Sequence, residues 1–192
     1  ITNQIDNVLI GYAAGSETTG HYNTVIGDGA FSASDNASSS NVYIGQNAGS
    51  GEDGASASNN NVGIGRNALG GAMNGAGNNV AIGADAGDAI TTGDDNVIIG
   101  YNAGTTMTAA GQNVFIGKDC AESSTEGDYN TVVGHAAFKA ANGNDSNHNT
   151  VIGFEAGKAL TDGHSNTLIG SIAGDSISGG VGNVALGFKA AD

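Results

Sequence analysis

Apolar and polar positions along the chain follow one short phrase, written eleven times. It reads Asn, Val or Thr, an uncharged residue, an aliphatic residue, Gly, two variable residues and Ala. Its Asn residues are Asn7, Asn23, Asn41, Asn61, Asn79, Asn96, Asn113, Asn130, Asn149, Asn166 and Asn183, at steps of 16 to 20 residues. A fixed phrase at a near-fixed step marks a solenoid, in which each unit stacks on the last. Counting each Asn as position 0, position +1 is Val or Thr throughout, and +3 is Ile except at Val133 and Leu186. β-Branched residues spaced by two belong on one face of a strand. A helix is excluded, because Gly follows at +4 in every unit and Gly inside a helix costs about 1 kcal/mol.

Position +2 falls on the opposite strand face and is never charged; Leu9, Val25, Ile98, Phe115, Val132, Val151 and Leu168 are among its members. A strand with one wet face alternates apolar and polar residues. Here both faces are dry. With one face lining the solenoid, the other needs a cover that a 17-residue coil is too short to supply. The +2 column is therefore expected to meet other copies of the chain, and a homo-oligomer follows.

The constant positions are read as structural; in two successive units they are Asn79, Ile82, Gly83, Ala86 and Asn96, Ile99, Gly100, Ala103. The Gly marks a corner with positive φ or close backbone approach. The Ala marks a small buried slot, which Cys120 fills in one unit. Stacked Asn amides form a hydrogen-bonded ladder or satisfy turn amides. Position +11 is often apolar (Ala72, Ile90, Met107, Ala141, Leu160, Ile177), which predicts a second, weaker strand facing the same interior. A Gly, Asp, Asn, Ser and Thr turn closes each coil. The longest of these, 32–40, 50–60 and 140–148, read as surface loops. The expected fold is all-β: a parallel β-solenoid of about eleven coils, two short strands per coil, in one domain over 1–192. At about 4.8 Å per coil it is a rod segment roughly 50 Å long. The opening at Ile1 reads as a fragment of a longer fibre protein.

Composition narrows the chemistry. The 19 acids outnumber 5 Lys and Arg, for a formal charge of −14, which argues against nucleic acid or anionic lipid as a partner. No apolar run is long enough to span a membrane, so no insertion is expected of this segment. One cysteine allows no internal disulfide.

The catalytic search is mostly negative. Gly49–Gly54 matches GxGxxG as a string, but it opens no helix and carries Glu52 and Asp53 against any phosphate. His21, His135, His148 and His164 read as exposed turn residues. Asp94, Asp95, Glu126 and Asp128 lie in turns two coils apart. Such oxygen-rich turns can bind Ca²⁺, although the spacing of an EF-hand is absent. They are the chain's only metal candidates, and no other cofactor is expected. A polysaccharide-active enzyme would need clustered acids on one face, whereas these are scattered through turns. The +5 column, with Tyr12, Tyr101, Phe154 and Phe188 beside Asp28, Lys118 and His135, reads as a solvated rim or a contact surface.

Asn79-Val80-Ala81-Ile82-Gly83-Ala84-Asp85-Ala86 and Asn183-Val184-Ala185-Leu186-Gly187 resemble the head repeats of YadA-type trimeric autotransporter adhesins. Asn23-Thr24-Val25-Ile26-Gly27 and Asn149-Thr150-Val151-Ile152-Gly153-Phe154-Glu155-Ala156-Gly157 are similar to repeats of phage tail fibres. The resemblance covers almost the whole chain. It implies a left-handed β-roll, three chains around one axis, and an extracellular, non-enzymatic fibre segment on a cell surface or virion. The partner it implies is a host-surface or matrix glycan or protein. The alternative reading is a filament subunit that stacks end to end.

Overall fold

The computed structural model describes residues 6–32, 37–51, 56–143 and 145–192. The tips of two predicted loops, 33–36 and 52–55, together with residue 144 and half of the GxGxxG string, lie outside them.

Every phrase forms a three-residue strand: β1 (Val8–Ile10), β2 (Thr24–Ile26), β3 (Val42–Ile44), β4 (Val62–Ile64), β5 (Val80–Ile82), β6 (Val97–Ile99), β7 (Val114–Ile116), β8 (Thr131–Val133) and β9 (Thr150–Ile152). β11 (Thr167–Ile169) and β13 (Val184–Leu186) complete the series. These eleven strands make one parallel sheet in chain order, each repeat position lying on its equivalent, as in Val97↔Val114 and Ile98↔Phe115. The chain is thus an all-β parallel solenoid of about ten turns, eleven strands bounding ten intervals.

The second strand is a correction. Among the described residues, only β10 (Asp162–His164) and β12 (Gly179–Val181) pair away from the main sheet, and they begin at +13, not +11. Elsewhere this side of the coil is held by single inter-coil bonds such as Thr91 N–H to Thr108 O and Thr108 N–H to Thr125 O. Ile90, Met107, Ala141 and Leu160 do point inward, but Ala72 is exposed and Met73 is buried instead.

The faces of the main sheet are the reverse of the expected ones. Val25, Ile98, Phe115, Val132, Val151 and Leu168 are wholly buried inside a single chain, so they cannot meet another copy. Leu9, on the terminal strand, is partly exposed. The outward columns are +1 and +3, none of whose residues is buried. The reason lies in the Asn. Position 0 must face inward to form its ladder, and the strand period of two carries +2 with it.

Inside, +2 packs against +8, and their volumes compensate. Tyr43 meets Gly49, where a Cβ would come within 2.7 Å of its ring; Leu168 meets Gly174. In three coils the larger member is at +8 instead: Val25 with Phe31, Gly63 with Leu69, Val132 with Phe138, all but Gly63 counted in one buried apolar cluster. This matching gives crystal-like packing without a large residue in every layer.

Two backbone devices turn the corners. The +4 Gly has φ of 123 to 147° in all eleven coils. In ten of them a Cβ would also overlap the carbonyl of the next coil's Gly, so both conformation and space demand glycine. Positions −1, +6 and +8 are left-handed in every coil, at φ of 49 to 71°, although most are not glycine.

Candidate functional site

The repeated side-chain chemistry of the chain is its Asn column. Asn23 to Asn166 are buried. In all ten intervals the Oδ1 of one Asn accepts the backbone N–H of the next, as from Asn130 to Asn113 at 2.9 Å. The Nδ2 donates to the carbonyl three residues before the next Asn: Asn96 to Ala110, Asn113 to Gly127, Asn149 to Gly163. From Asn79 onward it also donates to the preceding Oδ1, joining the amides into a ladder. The accepting −3 position is Gly, Ala or Ser in each of the ten coils, a regularity the sequence reading missed. A Cβ at Gly20, Gly93 or Gly127 would overlap a carbonyl of the next coil.

A second, shorter ladder uses position −2 and absorbs two of the proposed calcium ligands. Asp94 Oδ1 accepts from Gly77 N–H at 2.6 Å, and Asp128 Oδ1 accepts from Gly111 N–H at 2.7 Å. Ser39, Asn59 and Asn147 play the same part elsewhere. Asp95 sits at left-handed position −1, and Glu126 lies exposed two residues before Asp128. Among the described residues, no three His, Cys, Asp or Glu side chains converge to hold a metal ion.

All five Lys and Arg are ion-paired: Arg66 with Asp85, Lys118 with Asp119, Lys139 with Glu122, Lys158 with Glu155 and Lys189 with Asp192. Eleven of the sixteen described acids lie outside these pairs. The ammonium of Lys118 holds the Asp119 carboxyl below its ordinary value, and Glu122 raises the Lys139 ammonium. Burial, then the neighbouring Asp85, pushes Asp88 up against a weak bond from Thr105. Burial also pushes the Cys120 thiol up to about 12, as expected of a small apolar slot.

The histidines separate into different settings. His148 stacks on Tyr129 in the −1 column, with centroids 4.8 Å apart, and His135 stacks on Phe154 in the +5 column at 5.4 Å. Lys118 lies over the Tyr101 ring. The +5 column is exposed at Tyr12, Asp28, Tyr101, Lys118, His135, Phe154 and Phe188.

The constant positions Asn79, Ile82, Gly83, Ala86, Asn96, Ile99, Gly100 and Ala103 occupy three settings. The Asn and Ala are interior, the Gly sits at the corner, and Ile82 and Ile99 belong to the outward face. That outward face combines eleven Val or Thr with eleven Ile, Val or Leu, without one charge, along the whole sheet. Among the described residues it is left only partly covered, none of its side chains being buried. No family model matches the chain, and comparison with curated proteins and solved structures returned no significant match, so the geometry above carries the functional reading.

Proposed function

We propose that the chain is a non-enzymatic structural segment of an extracellular adhesive or tail fibre, a left-handed roll assembled as a homotrimer through its outward sheet face. The observation that carries this is the uncharged +1/+3 face, continuous over eleven strands in a chain of net charge −14. A face about 50 Å long and about 10 Å wide amounts to ~500 Å². That is at the upper end of what a monomer leaves bare, and such patches mark association sites. A partner must be straight, equally long and apolar at the same 4.8 Å repeat, and a second copy meets each condition. The extracellular setting, the handedness and the number three rest on the resemblance of the Asn79–Ala86 phrase to adhesin heads.

The test is the mass of the purified chain by light scattering, with its shape by small-angle X-ray scattering. A discrete trimeric rod is the expected result. A monomer at micromolar concentration would overturn the assembly, and open-ended polymers would favour the end-to-end filament instead.

A further inference from the structure

The outward face is bordered by two exposed columns, −1 just before the strand and +5 just past the Gly corner. Within one coil they lie six residues apart, at opposite ends of the strand, about 20 Å of extended chain. Yet in three of the eleven coils a tyrosine in one column faces a carboxylate in the other. Asp6 is matched with Tyr12, Tyr22 with Asp28, and Asp95 with Tyr101; in the second of these the two types have exchanged columns. All six side chains are exposed. In the coils of β8 and β9, each column carries a two-ring stack at the same height: Tyr129 on His148 in the −1 column, His135 on Phe154 in the +5 column.

We propose that these columns are the meshing rims of a parallel, in-register contact between copies of this chain, the +5 rim of one copy lying against the −1 rim of the next. The proposal rests on the self-association reading above and adds to it the register and the rim residues. In register, three tyrosine hydroxyls meet three carboxylates, the ring stacks meet each other, and no like charges are opposed. A slip of one coil in one direction abolishes the tyrosine–carboxylate pairs and sets His135 against His148. A slip in the other direction brings Lys118 to Asp95, but it sets Asp28 against Asp6 and leaves no tyrosine–carboxylate pair. A fully overlapped antiparallel contact of the two faces sets Asp95 on Asp95. The rims also complete the area: a face about 50 by 20 Å offers ~1,000 Å² per copy, the scale of a stable interface.

The experiment introduces Asp95→Cys with Tyr101→Cys in the full chain and oxidises it. Disulfides form only when Cα atoms approach within about 7 Å. Covalent oligomers should appear on a non-reducing gel. The pair Tyr101→Cys with Tyr129→Cys, offset by about 10 Å in height, should give none. Cys120 stays buried and does not interfere. A second arm compares Y101E with Y101K. Glutamate opposite Asp95 should raise the concentration at which the assembly dissociates about fivefold per contact, and lysine should not. A difference between these two variants supports the rim contact even where no disulfide closes. Equal dissociation of Y101E and Y101K without cross-linking, or cross-linking of the offset pair as strong as that of the in-register pair, overturns it. Light scattering of the wild type separates the two failures: an oligomer with no rim effect refutes the rims alone, and a monomer refutes self-association itself.

Discussion

Replacing Asn113 by Ala removes one rung of the amide ladder at mid-rod. Its Oδ1 is the acceptor for the Asn130 N–H at 2.9 Å, and its Nδ2 donates to the Gly127 carbonyl at 2.8 Å. Both partners are buried and lose their hydrogen bond in N113A. A buried polar group left without a partner costs about 1–3 kcal/mol, so two give about 2–6 kcal/mol. N113D separates hydrogen bonding from shape. The new oxygen would take the place of Nδ2, which lies 2.8 Å from Gly127 O, 3.1 Å from Gly111 O and 3.2 Å from Asn96 Oδ1. Three oxygens around a carboxylate raise its folded pKa above the unfolded value of about 3.9. The protonated acid mimics the amide donor, so N113D should lie nearest the wild type below about pH 4. The deficit should widen as pH rises above the unfolded value, until the folded group also ionises. Urea unfolding followed by far-UV circular dichroism, at matched protein concentration and at pH 3.5 and 7, reads both effects. N113A within ~0.5 kcal/mol of wild type, or an N113D deficit that does not change with pH, would refute the ladder as a source of stability.

Three further outcomes are expected. G100A meets a φ of 141° and a carbonyl oxygen of the next coil at once, so it should lower the unfolding midpoint far more than an ordinary surface substitution, by about 3 kcal/mol or more. Ile172 is the only β-branched residue among the left-handed +6 positions, at φ 61°, where Asn47, Asn67 and Asn102 sit elsewhere; I172N should stabilise by about 1 kcal/mol in the same assay. The Cys120 thiol, wholly buried and with its pKa at about 12, should resist alkylation by iodoacetamide at pH 8 in the native protein and react once urea unfolds it. Fast native labelling would contradict that burial.

The strands, the Gly corner and the buried Ala slot were legible because each repeats at a fixed offset with one residue type. The orientation of the sheet was not read correctly, although the information lay in the chain. Both strand faces are apolar, so hydropathy alone cannot tell Ile98 from Ile99. The Asn settles it, because an amide column that bonds along the axis must be buried, and +2 shares its side. The left-handed positions were hidden for a different reason. At −1, +6 and +8 the backbone shape is imposed by coil-to-coil bonds such as Asn47 N–H to Asp28 O and Phe31 N–H to Ala48 O, and residues as unlike as Tyr22, Glu155 and Phe138 accept it. The +11 strand failed because inward apolar side chains such as Ile90 and Met107 need only a filled core, not a ladder. The acidic turns were legible as acids, but not as acceptors for Gly77 and Gly111.

The sharpest test compares lysine at two adjacent residues. Ile98 is wholly buried and Ile99 is on the outward face. I98K puts a charge in the core, at a cost of several kcal/mol, and should abolish the folded signal in circular dichroism. I99K should keep the β spectrum while light scattering shows the assembly falling to monomers. A folded, assembled I98K, or an I99K that unfolds instead of dissociating, would contradict the assignment of the two faces.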